Sequence, residues 1–93
     1  MYTHIVFFLL KEPAEAPEFE ERLLALRDQV PSLAEIEVGV DDAPEGRSAH
    51  LSLLTRFADA DGLEAYRVHP AHQAFLAWAR PRIEKTYKVD YAG

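Results

Sequence analysis

Ninety-three residues predict a single domain over 1–93, and with 48% of them hydrophobic there is material for one core but little left over for an enclosed pocket. Sixteen acids against ten bases set the formal charge at -6, which argues against nucleic acid, whose phosphates need clustered Lys and Arg, and against a basic membrane-surface role. The absence of cysteine excludes disulfides and thiolate ligands, and the longest apolar run, Ile5 to Leu10, is too short to span a bilayer and lacks the basic flank of a signal peptide, so the chain reads as cytoplasmic.

Residues 2–11 read as a strand, apolar at successive positions from Ile5 to Leu10, with both faces expected to be covered. His4, Val6, Phe8 and Leu10 share one face, and Ile5, Phe7 and Leu9 the other. Pro13 and Pro17 punctuate the next segment. A helix follows from about Pro17 to Val30, where Phe19, Leu23, Leu26 and Val30 recur at helical spacing until Pro31 ends it. Residues 34–41 alternate strictly, with Ile36, Val38 and Val40 against Glu35 and Glu37: a half-buried strand with one wet side. A polar loop from Asp41 to Ser48 leads to a third strand over 49–57, where Leu51, Leu53, Thr55 and Phe57 share a face. Asp59 suits a helix N-cap, and the helix it opens carries Leu63 and Tyr66. Pro70 interrupts that helix. It pushes His69 into an extended conformation and suits the first position of a second piece, which makes His69 a cap. The second piece, to about Arg80, places His72, Phe75, Leu76 and Ala79 on one stripe. Residues 84–91 alternate again, Tyr87, Val89 and Tyr91 against Glu84, Thr86, Lys88 and Asp90.

The order βαββαβ predicts an α+β, ferredoxin-like protomer: a four-stranded antiparallel sheet with the helices on one face. The other sheet face keeps large apolar groups, and such a face in a soluble protein marks an interface. The expectation is a homodimer in which two sheets pack face to face as a dimeric α/β barrel around a cavity.

Two of the four histidines fall in Tyr66-Arg67-Val68-His69-Pro70-Ala71-His72. On its apolar stripe His72 points inward, where burial favours the neutral imidazole that can act as a base. Tyr66 lies off that stripe in a regular helix, but the break at Pro70 lets the two converge, and a phenol there could donate to an oxygen gaining negative charge. The same observations suit a buried polar pair with a structural role. His69 and His72 have a spacing two metal ligands can use, yet no carboxylate or cysteine completes a set, so no metal site is expected. His4 lines a cavity if its face of the first strand looks into one, and His50 reads as a surface residue. There is no nucleophile elbow, phosphate loop or dinucleotide fingerprint.

These segments together resemble the stress-responsive dimeric α/β-barrel domain family, and the likeness covers nearly all of the chain. It rests on His4-Ile5-Val6-Phe7-Phe8, Glu37-Val38-Gly39, Arg47-Ser48, Leu63-Glu64-Ala65-Tyr66, His69-Pro70-Ala71-His72 and Val89-Asp90-Tyr91. The family implies a ferredoxin-like protomer, a barrel-forming dimer, and functions that are diverse and mostly unassigned. The plant olivetolic acid cyclase in this family folds a linear polyketide without a cofactor, and it has a tyrosine at the same interval before His-Pro-Ala-His. Carried over residue by residue, its catalytic tyrosine and histidine fall on Tyr66 and His72, and its strand-one histidine near His4. Two readings remain open. One is a cofactor-free enzyme, or a binder, for a small apolar or aromatic carbonyl compound, with His72 as base, Tyr66 as oxygen donor, and His4 and His69 as substrate-binding residues. The other is a non-enzymatic, stress-associated dimer in which Tyr66 and His72 pair with each other and stabilise the bend.

Overall fold

A computed structural model describes all 93 residues. The run Tyr2–Leu10 forms β1, and the helical segment after Pro13–Glu15, a single 3-10 turn, forms α1 (Ala16–Leu24). The sequence predicts α1 as one helix to Val30, but it tightens into a 3-10 turn over Ala25–Asp28 while Leu26 and Val30 stay buried. The alternating segments become β2 (Glu35–Val40) and β3 (Leu51–Phe57). The bend at Pro70 separates α2 (Ala60–Val68) from α3 (Pro70–Ala79), and β4 (Ile83–Ala92) closes the chain.

The sheet order is β2-β3-β1-β4 and every pairing is antiparallel, the ferredoxin-like arrangement that βαββαβ predicts. Register fixes the faces. His4, Val6 and Phe8 sit opposite Thr55, Leu53 and Leu51 on β3, and opposite Asp90, Lys88 and Thr86 on β4. This face meets the helices: Val6, Phe8, Leu10, Ile36, Leu51 and Leu53 form one core with Phe19, Leu23, Leu63, Tyr66, Phe75 and Ala79.

Aromatic contacts lock the helix layer. Trp78 on α3 lies 4.8 Å from Phe19 on α1, ring to ring, and the Arg22 and Arg82 guanidiniums lie over it at 4.2 and 4.6 Å. The start of α2 comes close to β3 because position 62 is glycine, where an added Cβ would stand 3.0 Å from the Phe57 Cβ. Asp59 caps this helix as predicted, accepting the Gly62 N–H at 3.0 Å.

Two expectations change. The first strand is covered unevenly: in the row opposite the helices Thr3 is buried and Ile5 and Leu9 are half-buried. In that row Phe7 is 45% exposed, and its β4 neighbours Tyr87, Val89 and Tyr91 are exposed with it. His50, expected at the surface, is half-buried: its Nδ1 accepts the Leu10 N–H at 2.7 Å, next to the point where the β1–β4 register slips between Leu9 and Leu10. The β1–β3 ladder ends at the Phe8–Leu51 pair, so the Leu10 N–H has no strand partner on that side, and the ring supplies one. No helix is long and apolar enough to cross a membrane.

Candidate functional site

The break between α2 and α3 builds the site. In a continuous helix the Arg67 carbonyl would accept the Ala71 N–H, four residues on. Pro70 prevents that, and His69, extended at φ -62 and ψ 136, turns its ring so that Nδ1 accepts the Ala71 N–H at 3.0 Å. The Arg67 carbonyl is left as an open acceptor at the end of α2. It takes the His72 Nδ1–H at 3.1 Å and a Gln73 Nε2–H at 2.6 Å. A carbonyl only accepts, so Nδ1 carries the proton and the lone pair of the neutral ring lies on Nε2. Burial pushes the His72 pKa below its ordinary 6.5. The bond to the Arg67 carbonyl opposes that shift, and the charges of His4, Arg67 and Arg80 add to it.

The same break brings Tyr66 and His72 together. Their ring centroids are 4.3 Å apart with planes inclined at 41°, a tilted ring-to-ring contact rather than a hydrogen bond. Phe57 backs the tyrosine at 5.3 Å. Tyr66 is 1% exposed, and its hydroxyl is buried without a hydrogen-bond partner. Burial raises its pKa, so the phenol keeps its proton throughout the neutral range and is a donor with no acceptor.

His4 reaches the same region from β1. Its Nδ1 is bonded to Asp90 Oδ1 on β4, the residue directly opposite in the ladder. The other Asp90 oxygen takes Lys88 Nζ at 2.6 Å and an Arg67 guanidinium N–H at 3.4 Å. Desolvation favours a protonated Asp90, but the bonds from Lys88 and His4 outweigh it and hold the carboxyl below its ordinary 3.8. Asp90 therefore stays a carboxylate and fixes the His4 ring, leaving Nε2 as the free nitrogen.

A cavity of about 550 Å³ opens between the helix layer and the β1–β4 side of the sheet, within the size range of small-molecule sites. His4, Tyr66 and His72 all line it, with Val6, Phe8, Leu53, Phe75 and Leu76 as apolar wall. This cavity lies inside the protomer, on the helix side of the sheet. His69 is not among the lining residues: its ring nitrogen is spent on the cap, so the substrate-binding role expected of it has no counterpart at the cavity wall.

A model of the stress responsive A/B barrel domain (Dabb) matches residues 2–92. The chain belongs to this family. Among solved structures, a dimeric protein of unknown function and ferredoxin-like fold from Bacteroides fragilis NCTC 9343 is 27% identical, with 99% of this chain and 95% of that one covered and a TM-score of 0.87. A Dabb family protein from Mesorhizobium loti maff303099 is 26% identical over 99% and 95% of the two chains, with a TM-score of 0.76. A hydroxynitrile lyase from Passiflora edulis, 18% identical over 97% and 90%, shares the fold with a TM-score of 0.82. No match was found among curated proteins.

In this Dabb chain the residue that sequence reasoning missed is Asp90. Alternation put it on the inner row of β4 with Thr86 and Lys88, and a carboxylate on a row that turns toward a helix layer is the available signal. Its partner depends on the β1–β4 register, which one strand's pattern does not contain.

Proposed function

We propose that this Dabb domain binds a small apolar or aromatic carbonyl compound in the cavity and moves a proton at the carbon alpha to its carbonyl, using its own side chains. His72 Nε2 takes the proton. The electron pair of the broken C–H bond passes to the carbonyl oxygen, and the Tyr66 O–H donates to the oxygen that gains charge. Return of the proton from His72 restores the neutral ring. His4, held by Asp90, contributes to binding. The observation that carries this reading is the buried, unpartnered Tyr66 hydroxyl beside an imidazole whose Nδ1–H is already committed to Arg67. The likeness to olivetolic acid cyclase at Tyr66 and at His69-Pro70-Ala71-His72 supports the same roles; the dimeric relatives support a homodimer, and the exposed apolar sheet face is the surface proposed for it.

One observation favours a second reading. The contact between the Tyr66 and His72 rings and the His72–Arg67 bond tie α3 to α2, which suits a role of both residues in the fold alone. Exchange of the alpha protons of 2-tetralone in D2O, followed by proton NMR, separates the two. The enzymatic reading expects exchange above the buffer rate, lost by about 10²–10⁴-fold in His72→Ala and about 10²–10³-fold in Tyr66→Phe. The neutral imidazole is the active form, so the rate should rise with pH through a value below 6.5 and be flat from neutrality upward. Exchange at the buffer rate while the ketone shifts the His72 ring signals, or full activity in both variants, would overturn it.

A further inference from the structure

The charge around the cavity runs against the charge of the chain. Sixteen acids and ten bases give the molecule its net -6, yet the cavity is lined by Arg67, Arg80 and Lys88 and by no Asp or Glu. Two of these cations are already engaged, since Arg67 and Lys88 both contact Asp90. Arg80 makes no ion pair and no side-chain hydrogen bond. It closes α3 as its C-cap, three residues before Ile83 of the cavity wall. A cation at that end of α3 also suits the helix dipole, a contribution of about 0.3–1 kcal/mol. The dipole explains one arginine. It does not explain why three cations, and no Asp or Glu, are among the residues lining a cavity in an acidic protein.

We infer that the carbonyl compound taken by this cavity also carries a single carboxylate, which Arg80 holds at the mouth. The inference rests on the reading of the cavity as a carbonyl-binding site. One free cation matches one negative charge, and the flat guanidinium fork accepts a carboxylate in two parallel hydrogen bonds. Arg67 and Lys88, neutralised in part by Asp90, extend the positive field that draws an anion past an acidic surface. The ligand class is thus an apolar or aromatic keto acid: its ring or chain among Phe8, Phe75 and Leu76, its ketone toward Tyr66 and His72, its carboxylate at Arg80.

The test uses 4-oxo-4-phenylbutanoate and its near-isosteric neutral amide, titrated into the full-length protein and followed by the His72 ring signals in NMR. The acid is expected to bind about tenfold more tightly than the amide at low salt, a difference of ~1.4 kcal/mol. Arg80→Gln should bring the two to equal affinity without weakening the amide, whereas Arg47→Gln, in the exposed loop before β3, should leave the preference unchanged. Equal binding of acid and amide by the natural protein would overturn the carboxylate subsite and leave the carbonyl-binding reading standing. A preference that survives Arg80→Gln would overturn the assignment to Arg80. Failure of both compounds to move the His72 signals would overturn the cavity reading itself.

Discussion

The Tyr66 hydroxyl sits in the core with nothing to bond to, and a buried unsatisfied polar group costs about 1–3 kcal/mol. Stability alone would favour phenylalanine at this position, because Phe57 and His72 pack on the ring and the oxygen has no hydrogen-bond partner. Tyr66→Phe should therefore keep or raise stability, by about 1 kcal/mol in urea denaturation, while removing the donor. A clear loss of stability would mean that the hydroxyl has a partner in the folded protein and that the residue serves structure. Tyr66 and His72 were legible as candidates in the sequence because a phenol and an imidazole flank a helix-breaking proline. Their convergence across the break at Pro70 was legible too, but not that they meet ring to ring with no hydrogen bond between them. Asp90 was hidden for a different reason: its meaning lies in His4, 86 residues away.

Pro70 organises its neighbours by what it withholds. It ends α2 early, His69 captures the Ala71 N–H, and the Arg67 carbonyl is freed to set the His72 tautomer. His69 is therefore a cap whose effect reaches His72 through the backbone. His69→Ala should cost about 1 kcal/mol of stability, with His69→Asn recovering much of it, since asparagine is among the best N-caps. Urea denaturation of the two variants checks this. Equal stability of His69→Ala and the natural protein would mean that the ring contributes no capping. The elements themselves were readable from pattern: alternation gave β2 and β4, helical spacing gave α1, and the proline divided α2 from α3 nearly where the structure does. The 3-10 tightening after Leu24 has no such signature, because Leu26 and Val30 are apolar and buried whichever way the turn winds.

Across the whole molecule, cavity and exposed sheet face lie on opposite sides of β1 and β4. Phe7 opposes Tyr87 and Ile5 opposes Val89 on the outer face, making a contiguous apolar surface with no helix over it. A second copy packed there would leave the cavity intact. Phe7→Asp combined with Val89→Asp should yield a monomer in sedimentation velocity, with the His72 ring signals unchanged. A natural protein that sediments as a monomer at tens of micromolar would contradict the proposed dimer. Perturbed His72 signals in the double variant would mean that the sheet face and the cavity are coupled.

The order and type of the elements, the division of each strand into two faces, and the break at Pro70 follow from the sequence alone, because each depends on side chains a few positions apart. Which faces meet was decided only by the tertiary structure. The sequence divides β1 into two apolar rows without saying which row the helices cover. Folding puts the helices over the His4–Val6–Phe8 row, leaves Phe7 exposed on the other, and opens a cavity inside the protomer. Strand register did the rest. Pairing His4 with Asp90 and turning Lys88 to the same face assembles charges from opposite ends of the chain. No local pattern encodes that pairing, since a shift of one residue in β4 would have turned Asp90 to the other side.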